Sequence, residues 1–457
     1  MRLTRRRLLG GALAGALAGG GIYELVDQLA GAPARTAAEV AAGPPEQHLL
    51  ELGTVESEGV DVVVPPLHSE LLTATLGDVS DLTRAQRDLE AVLRDLDARY
   101  PATAAGLGVT VAWGLPYFEA RVPHTWAEHA PFDHRAGKPA LLPSRRFPSD
   151  PRDTILERNE LAVLLRSDAR AHIDDARTAI AALPFVRLTS IRRGFAGGGF
   201  AGKRSLPKKM ALAAGVPGAD LIPDTSELFL GFTSTQKAGL GPGKIANFET
   251  LGFVDLRSGY FRHGTHMHVS HIVEDLEAWY LNFDFDERVL TVFRPGLTDV
   301  RQGTQTVRQD PQDVSDTARL EAQFRTTGRF GHSGSIQPTS RLQQDVVGPD
   351  GTHYPKGTAI PQRVDFNTLD NPFAWSAGGK RAAEPAAGVH FVVFNPSGDD
   401  FERNRLAMDG RLPGGTTLPV PPQSRAQGFN SVLTTTHRQN FLVPPRAHRS
   451  FPLAELA

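Results

Sequence analysis

The sequence predicts an α+β fold in which two halves of similar order form one barrel. Its clearest sign is the order strand–helix–strand, which occurs twice in the first half of the chain and recurs in the second. The composition agrees, because 40% of the 457 residues are hydrophobic and 22% are charged, which supplies apolar material for a full core. The chain has no cysteine. This excludes disulfide frameworks, iron–sulfur clusters, cysteine-ligated zinc and thiol catalysis.

The N-terminus is typical of an export signal. Paired arginines precede an apolar, Gly/Ala-rich run that continues to Tyr23, and small residues follow at Ala32 and Ala34. We therefore expect residues 1–34 to be a twin-arginine signal peptide, followed by an Ala/Pro-rich linker over residues 35–47. The alternative is a retained membrane anchor, although the run is shorter than the roughly 20 apolar residues of a spanning helix. The prediction is a periplasmic, extracellular or cell-surface protein. The route also favours a bound cofactor, because it carries folded proteins.

In the first half, apolar and β-branched runs predict strands, and apolar residues at helical spacing predict helices. The strands are expected at residues 68–76, 108–113, 160–166, 185–195 and 227–232. The helices are expected from Asp81 to Tyr100 and over residues 169–182. Loops are expected over residues 119–153 and 196–225, and Asp150 is interpreted as a solvated loop residue. This order is typical of a ferredoxin-like unit, which we place at residues 48–240.

The second half repeats the pattern. Strands are expected at residues 265–271, 287–293, 388–394 and 440–443, and helices at residues 273–281 and 401–408. We place this half at residues 241–446, before a tail at residues 447–457, with the boundary between the halves near 235–250. The two halves together suggest an internally duplicated α+β barrel.

Histidines cluster on and around the strand predicted at residues 265–271. Alternation puts His266 and His268 on one face of this strand and His271 on the other. Two histidines in the pattern H-x-H can hold copper or zinc. The alternative is a polar strand face that lines a cavity or solvent, and the sequence offers no clear third ligand.

A separate histidine, His332, lies in a predicted loop of small residues at 331–338. An imidazole in such a loop can ligate haem iron. Arg363 follows in the stretch 362–367, and a cation beside haem can polarise bound peroxide. Asp365 shares a strand face with Arg363, so we expect the two side chains to pair.

Several segments, in the same order along the chain, resemble the dye-decolorizing (DyP-type) haem peroxidases. His332 with Pro338 matches the spacing of that family's proximal histidine loop, and the stretch from Arg363 to Asn367 is similar to the one whose first arginine lines the distal pocket. The other similar segments are residues 108–118, 160–168, 264–279, 388–394 and 440–445. The resemblance implies a dimeric α+β barrel of two ferredoxin-like halves, with haem b in the second half. It also implies that His332 ligates the iron and that Arg363 and Asn367 bind the cofactor.

The chain departs from this family where a distal aspartate is expected. In the stretch that corresponds to the family's G-F-x-D-G motif, Ser234 stands in place of the aspartate and Thr235 in place of the second glycine. A serine hydroxyl cannot act as a base near neutral pH without help. Gly334 likewise replaces an arginine of the proximal loop.

The leading hypothesis is an exported DyP-like protein that binds haem b through His332. Arg363 and Ser234 would lie on the distal side, and the reaction would be peroxide-dependent oxidation of small aromatic donors. The alternative is a catalytically degenerate barrel that binds haem or another ligand, or is structural, without peroxidase turnover. The net charge of −2 argues against a nucleic-acid partner. Membrane contact is expected only through the export signal, and a homo-oligomer is left open.

Overall fold

Regular elements cover most of the chain that the structure describes. The computed structural model describes residues 22–30, 43–57, 60–197, 206–224, 226–232, 259–293, 314–347, 353–371, 385–422 and 424–457. Within these ranges the α-helices are α1 (Leu25–Ala30), α2 (Leu82–Arg99), α3 (Leu115–Arg121), α4 (Pro123–His129), α5 (Arg170–Ala181), α6 (Leu206–Ala214), α7 (Leu276–Asn282), α8 (Phe285–Val292), α9 (Thr317–Thr327), α10 (His332–Ser340) and α11 (Gly398–Met408).

The strands of the same ranges include seven that contain seven or more residues. In chain order the strands are β1 (Thr54–Ser57), β2 (Val60–Val63), β3 (His68–Leu76), β4 (Gly108–Gly114), β5 (Phe132–Asp133), β6 (Lys138–Pro139), β7 (Ile155–Leu156), β8 (Leu161–Ser167), β9 (Val186–Phe195), β10 (Thr265–Glu274), β11 (Val346–Val347), β12 (His353–Tyr354), β13 (Gln362–Arg363), β14 (Phe366–Thr368), β15 (Gly388–Asn395) and β16 (Leu433–Val443).

The long strands, together with β14, pair into a closed ring. Strand β3 lies between β9 and β8, β4 joins β8 to β16, β10 joins β16 to β15, and β14 joins β15 to β9. All of these pairings are antiparallel. Closure matters because it leaves no long sheet edge exposed.

Both halves of the ring have the same strand order. In the first half the spatial order is β9-β3-β8-β4. Along the chain, α2 follows β3 and α5 follows β8. In the second half the spatial order is β16-β10-β15-β14. Along the chain, α7 and α8 follow β10, and α11 follows β15. The α+β class that the sequence predicts is confirmed.

Apolar side chains from around the ring fill its interior. Met267 and Val269 of β10 belong to this cluster, together with Leu71, Ala112, Leu164, Phe366, Val392, Phe394, Phe441 and Val443. Because side chains alternate along a strand, the residues between them face the outside of the ring, toward the helices. The outward face of β10 therefore carries His266, His268, Ser270, Ile272 and Glu274, and this face positions the site.

The structure corrects several predictions of local structure. Residues 227–232 form turns instead of a strand, and residues 287–293 lie in or at the end of helix α8. The cause of the second error is the cap, since the carboxylate of Asp284 accepts a hydrogen bond from the backbone N–H of Glu287 and starts the helix there. The predicted loops also contain helices: α6 lies in 196–225, α4 lies in 119–153, and α10 begins in 331–338 and ends just after it.

Helix α1 lies inside the segment that the sequence predicts as a signal peptide. Its residue Val26 is fully buried, and Tyr23, in the preceding turn, is 4% exposed. Both belong to the apolar cluster that also contains Met210 of α6 and Trp279 of α7. Export stays a prediction, and the predicted boundary near 235–250 lies outside the described residues. Within the ranges given above, the structure contains no helix long and apolar enough to cross a membrane.

Candidate functional site

A cavity of about 600 Å³ lies between the outward face of the second half and helices α10 and α11. Its size is in the range of small-molecule sites, roughly 300–1,000 Å³. Most of the lining is apolar, from residues that include Leu230, Phe232, Ile272, Ile336, Phe391 and Phe401. The polar lining includes His332, Arg363 and Glu274. Such a cavity suits a flat or bulky apolar ligand that carries a few polar groups.

His332 is the first residue of α10, and a close backbone approach fixes its place. A Cβ atom on Gly331 would lie 2.2 Å from the carbonyl oxygen of Phe293, so only glycine fits there. The N–H of Gly334 donates to the same carbonyl oxygen at 2.8 Å. This anchors the start of α10 to the end of α8 and holds the His332 imidazole at the cavity wall. The small residues of 331–338 predict a loop, but a helix begins here, with Gly331 at its N-cap and no side-chain cap.

The imidazole of His332 is neutral at physiological pH. Burial lowers the pKa of His332 to about 3, and the positive charges of Arg363 and Arg405 act in the same direction. The neutral imidazole is the form that binds metals. The cavity therefore offers one uncharged nitrogen ligand next to cationic groups.

Arg363 and Asp365 form the pair that the sequence predicts. The Nε of Arg363 donates to Oδ1 of Asp365 at 3.0 Å, and an outer nitrogen donates to Oδ2 at 2.7 Å. Burial opposes the charged guanidinium, but the carboxylate of Asp365 raises the pKa of Arg363. This two-point contact holds the cation in one orientation at the cavity wall.

Asn367 also lines the cavity, but its amide nitrogen serves the backbone. It donates to the carbonyl oxygen of Glu227 at 3.2 Å and to that of Phe195 at 3.5 Å. It thereby ties β14 to the segment 226–232. Ser234 lies outside the described residues. Leu230 and Phe232, just before it, line the cavity.

The structure brings further charged residues to the cavity that the sequence reasoning missed. Glu274 faces it from the end of β10, and Arg341 lines it just after α10. Asp150 is also not a solvated residue: its carboxylate is fully buried and binds Arg405 and Arg438, which line the cavity. The sequence does contain one signal for Glu274. It follows Ser270 and Ile272 at every second position, which predicts that the three side chains share one face of the strand.

His266 and His268 share the outward face of β10, as alternation predicts, but His268 has no free ring nitrogen. Its Nδ1 lies 2.7 Å from Oδ1 of Asn440 and its Nε2 lies 2.6 Å from the hydroxyl of Ser270. The imidazole also stacks on Phe401, with ring centroids 3.3 Å apart. Across the described part of the chain, no group of three or more His, Cys, Asp or Glu side chains could hold a metal ion.

His271 faces the opposite side of β10 from His266 and His268. In the sheet register it lies between His390 of β15 and His437 of β16. Burial lowers the pKa of His271 well below its usual value, and the charge on His390 acts in the same direction. This row of histidines therefore lies apart from the cavity that contains His332.

A family model described as a family of unknown function, DUF7405, matches residues 66–445. The chain belongs to this family. No curated protein matches the DUF7405 chain.

Solved DyP-type structures resemble the DUF7405 chain in fold. A variant of DypB from Rhodococcus jostii RHA1 in complex with heme has 16% identity and a TM-score of 0.50, covering 88% of this chain and 97% of that chain. Another crystal form, of DyPB from the same organism, has 16% identity and a TM-score of 0.49, covering 85% and 96%. An encapsulated DyP-type peroxidase from Mycobacterium smegmatis has 14% identity and a TM-score of 0.49, covering 85% and 96%. The first likeness supports a DyP-like fold for this DUF7405 chain.

Proposed function

We propose that this DUF7405 protein is an exported, DyP-like protein that binds haem b through His332. In this proposal two ferredoxin-like halves form a dimeric α+β barrel, and the reaction is peroxide-dependent oxidation of small aromatic donors. The observation that carries it is the neutral imidazole of His332 at the wall of a largely apolar cavity, on a DyP-like fold. Export rests on the paired arginines and the apolar run of the N-terminus.

The residues around the cavity fit a haem group. A neutral imidazole suits the iron, and the apolar lining suits the macrocycle. Haem also carries carboxylate groups, which need cations. Arg341 lines the cavity and has no acidic partner among the residues that the structure describes; one of its nitrogens donates to the carbonyl of Gly357 at 2.8 Å. Burial lowers the pKa of Arg341 to about 10, which leaves it charged at physiological pH. Arg341 would therefore hold a haem carboxylate.

The cation of Arg363 would act on the small molecule that enters the cavity. Bound haem supplies the redox chemistry on peroxide. Arg363, held by Asp365, would orient an entering peroxide and stabilise negative charge on its oxygen atoms. Because the guanidinium is already held by two hydrogen bonds, little side-chain entropy is lost when it meets a ligand.

The test is haem reconstitution of the purified protein, read by its absorption spectrum. We expect a Soret band from the parent protein, and loss of that band or a large change in it in His332→Ala. The matched control is His353→Ala, because His353 is exposed and lies in β12. An unchanged Soret band in His332→Ala would overturn the ligand assignment. Peroxide with a dye donor then tests the reaction.

One observation favours the alternative of a degenerate barrel that binds haem without turnover. Arg363 is bound in a two-point contact to Asp365, and this pairing reduces the charge that the guanidinium can offer to peroxide. A Soret band that does not shift on peroxide addition and no bleaching of the dye would support this alternative.

A further inference from the structure

We infer that Glu274 is the carboxyl group that accepts a proton from a hydroperoxide entering this cavity. The inference rests on the proposed function and adds to it the base that Ser234 cannot supply. The segment that precedes Ser234 lines the cavity through Leu230 and Phe232, as does Glu274.

The position of Glu274 follows from the alternation along β10. It is the last residue of this strand, on the outward face that also presents Ser270 and Ile272 to the cavity. Its Oε2 atom is buried and has no hydrogen-bond partner among the residues that the structure describes. A buried carboxyl oxygen without a donor is costly, and a ligand or a proton would relieve that cost.

The groups around Glu274 favour its neutral form. On β16, Glu274 is paired with Leu433. On β15, the last paired residue is Gly388, opposite Val273, so these flanking residues supply no charge there. Burial raises the pKa of Glu274 to about 8, and the negative charge of Asp365 acts in the same direction. Tyr280 of α7 is also near, since Glu274 contributes to the raised pKa of that phenol.

Asp365 is a weaker candidate for the base. Both of its carboxylate oxygens accept hydrogen bonds from Arg363. Both oxygens are therefore already engaged by the guanidinium. Glu274 has a buried oxygen free of such bonds, and a base works best when its pKa lies near the working pH. The two acids therefore have separate roles: Asp365 orients the cation and Glu274 moves the proton.

The chemical step is a proton transfer. The O–H bond of the hydroperoxide breaks, its proton moves to the Glu274 carboxylate, and the products are a hydroperoxide anion and a neutral carboxylic acid. No group is oxidised or reduced in this step. The Arg363 guanidinium, which is paired with the neighbouring Asp365, would stabilise the anion that forms.

The first experiment needs no haem. An infrared titration of the protein should show the carbonyl band of a protonated carboxyl group that disappears as the pH rises through about 8. We expect Glu274→Gln to lose this band and Glu277→Gln to keep it. Glu277 is the matched control, because it is exposed and three positions away on α7. A band that persists unchanged in Glu274→Gln would overturn the inference.

The second experiment uses the haem-reconstituted protein and measures how fast the Soret band changes after peroxide is added. We expect Glu274→Gln to keep the resting Soret band and to react about 100-fold or more slowly, as on loss of a general base. Glu274→Asp, which keeps a carboxyl group, should restore part of the rate, and Glu277→Gln should match the parent.

The outcomes separate the two proposals. An intact Soret band with the parent rate in Glu274→Gln would overturn the role of Glu274 and leave the haem proposal standing. No Soret band in the parent protein would overturn the haem proposal and, with it, the role of Glu274 toward peroxide. The infrared band would still show whether Glu274 holds a proton near pH 8.

Discussion

The phenol of Tyr23 donates a hydrogen bond at 2.9 Å to the carboxylate of Asp370, which lies 347 residues further along the chain. The phenol oxygen of Tyr23 also lies 2.9 Å from the hydroxyl of Thr368, and it accepts a hydrogen bond from the backbone N–H of Leu369 at 2.9 Å. Burial raises the pKa of Asp370, while the hydrogen bonds from Tyr23 and from the backbone of Arg193 oppose that rise. Tyr23, just before α1, is therefore part of this polar cluster.

We predict that removing residues 1–34 destabilises the protein, whereas removing residues 1–20 does not. The longer deletion removes Tyr23 and Val26 from the apolar cluster and leaves Asp370 without one of its donors. The expected loss is about 2–5 kcal/mol in the free energy of unfolding. Urea unfolding followed by tryptophan fluorescence measures it. Equal midpoints for the two deletions would show that α1 contributes nothing to the fold. Tyr23→Phe, which removes only the hydroxyl, should show a smaller loss in the same direction.

A second prediction concerns the pair Arg363–Asp365. In Asp365→Asn the guanidinium loses its counter-charge at the cavity wall, and we expect a loss of about 3 kcal/mol in the free energy of unfolding. The control is Asp345→Asn, since Asp345 is exposed; its carboxylate lies 3.3 Å from His353 and accepts the backbone N–H of Lys356. Because Asp365 also raises the pKa of Glu274, the infrared titration of Asp365→Asn should move to lower pH. A titration that stays in place would contradict the coupling of the two acids.

A third prediction concerns His266, which is fully buried with both ring nitrogens lacking a hydrogen-bond partner among the described residues. Asn440 is near, but its amide serves His268 and the carbonyl of Leu142. Burial lowers the pKa of His266 from 6.5 to about 3. The unfolded chain therefore binds a proton that the folded chain does not, and stability is lost as the pH falls from 6.5 toward 3.

The measurement for His266 is urea unfolding at about pH 7.5 and about pH 5. On going to the lower pH, this residue alone should lower the free energy of unfolding by on the order of 2 kcal/mol. In His266→Leu the cost should be absent, so the variant loses less stability on acidification than the parent. His353→Leu, at an exposed position, should behave as the parent. If His266→Leu and the parent lose stability equally, His266 is not the acid-sensitive group.

A fourth prediction is that purified protein contains no stoichiometric copper or zinc bound by His266 and His268. Both ring nitrogens of His268 are engaged, by Asn440 and by Ser270, so metal binding would have to break two buried hydrogen bonds. Elemental analysis of protein purified without a chelator decides this. One equivalent of either metal that is lost in His268→Ala would contradict it.

Much of the local structure could be predicted because its causes lie within a few residues. Asp81 caps α2 by accepting the N–H of Arg84, and Leu89, Leu93 and Leu96 give that helix its buried face. Runs of apolar and β-branched residues predict strands at 68–76 and 108–113, and the observed strands are His68–Leu76 and Gly108–Gly114. His332, Arg363 and Asn367 were named from the sequence, and the structure places all three at one cavity.

Only the tertiary structure decided the charge states and the partners within that cavity. Alternation along β10 indicates that Glu274 shares a face with His268. The pKa of Glu274, however, is raised by burial and by the charge of Asp365, which lies between β13 and β14. The carbonyl oxygen of Phe293 accepts a hydrogen bond from the N–H of Gly334 and so holds the start of α10. Local propensity could not predict this contact, because it joins the end of α8 to a segment about 40 residues later. The sequence by itself determined the α+β class and the positions of most of the long strands, since propensity and periodicity act locally. Ring closure, burial and electrostatic coupling depend on residues far apart in the chain, and they exist only once the chain has folded.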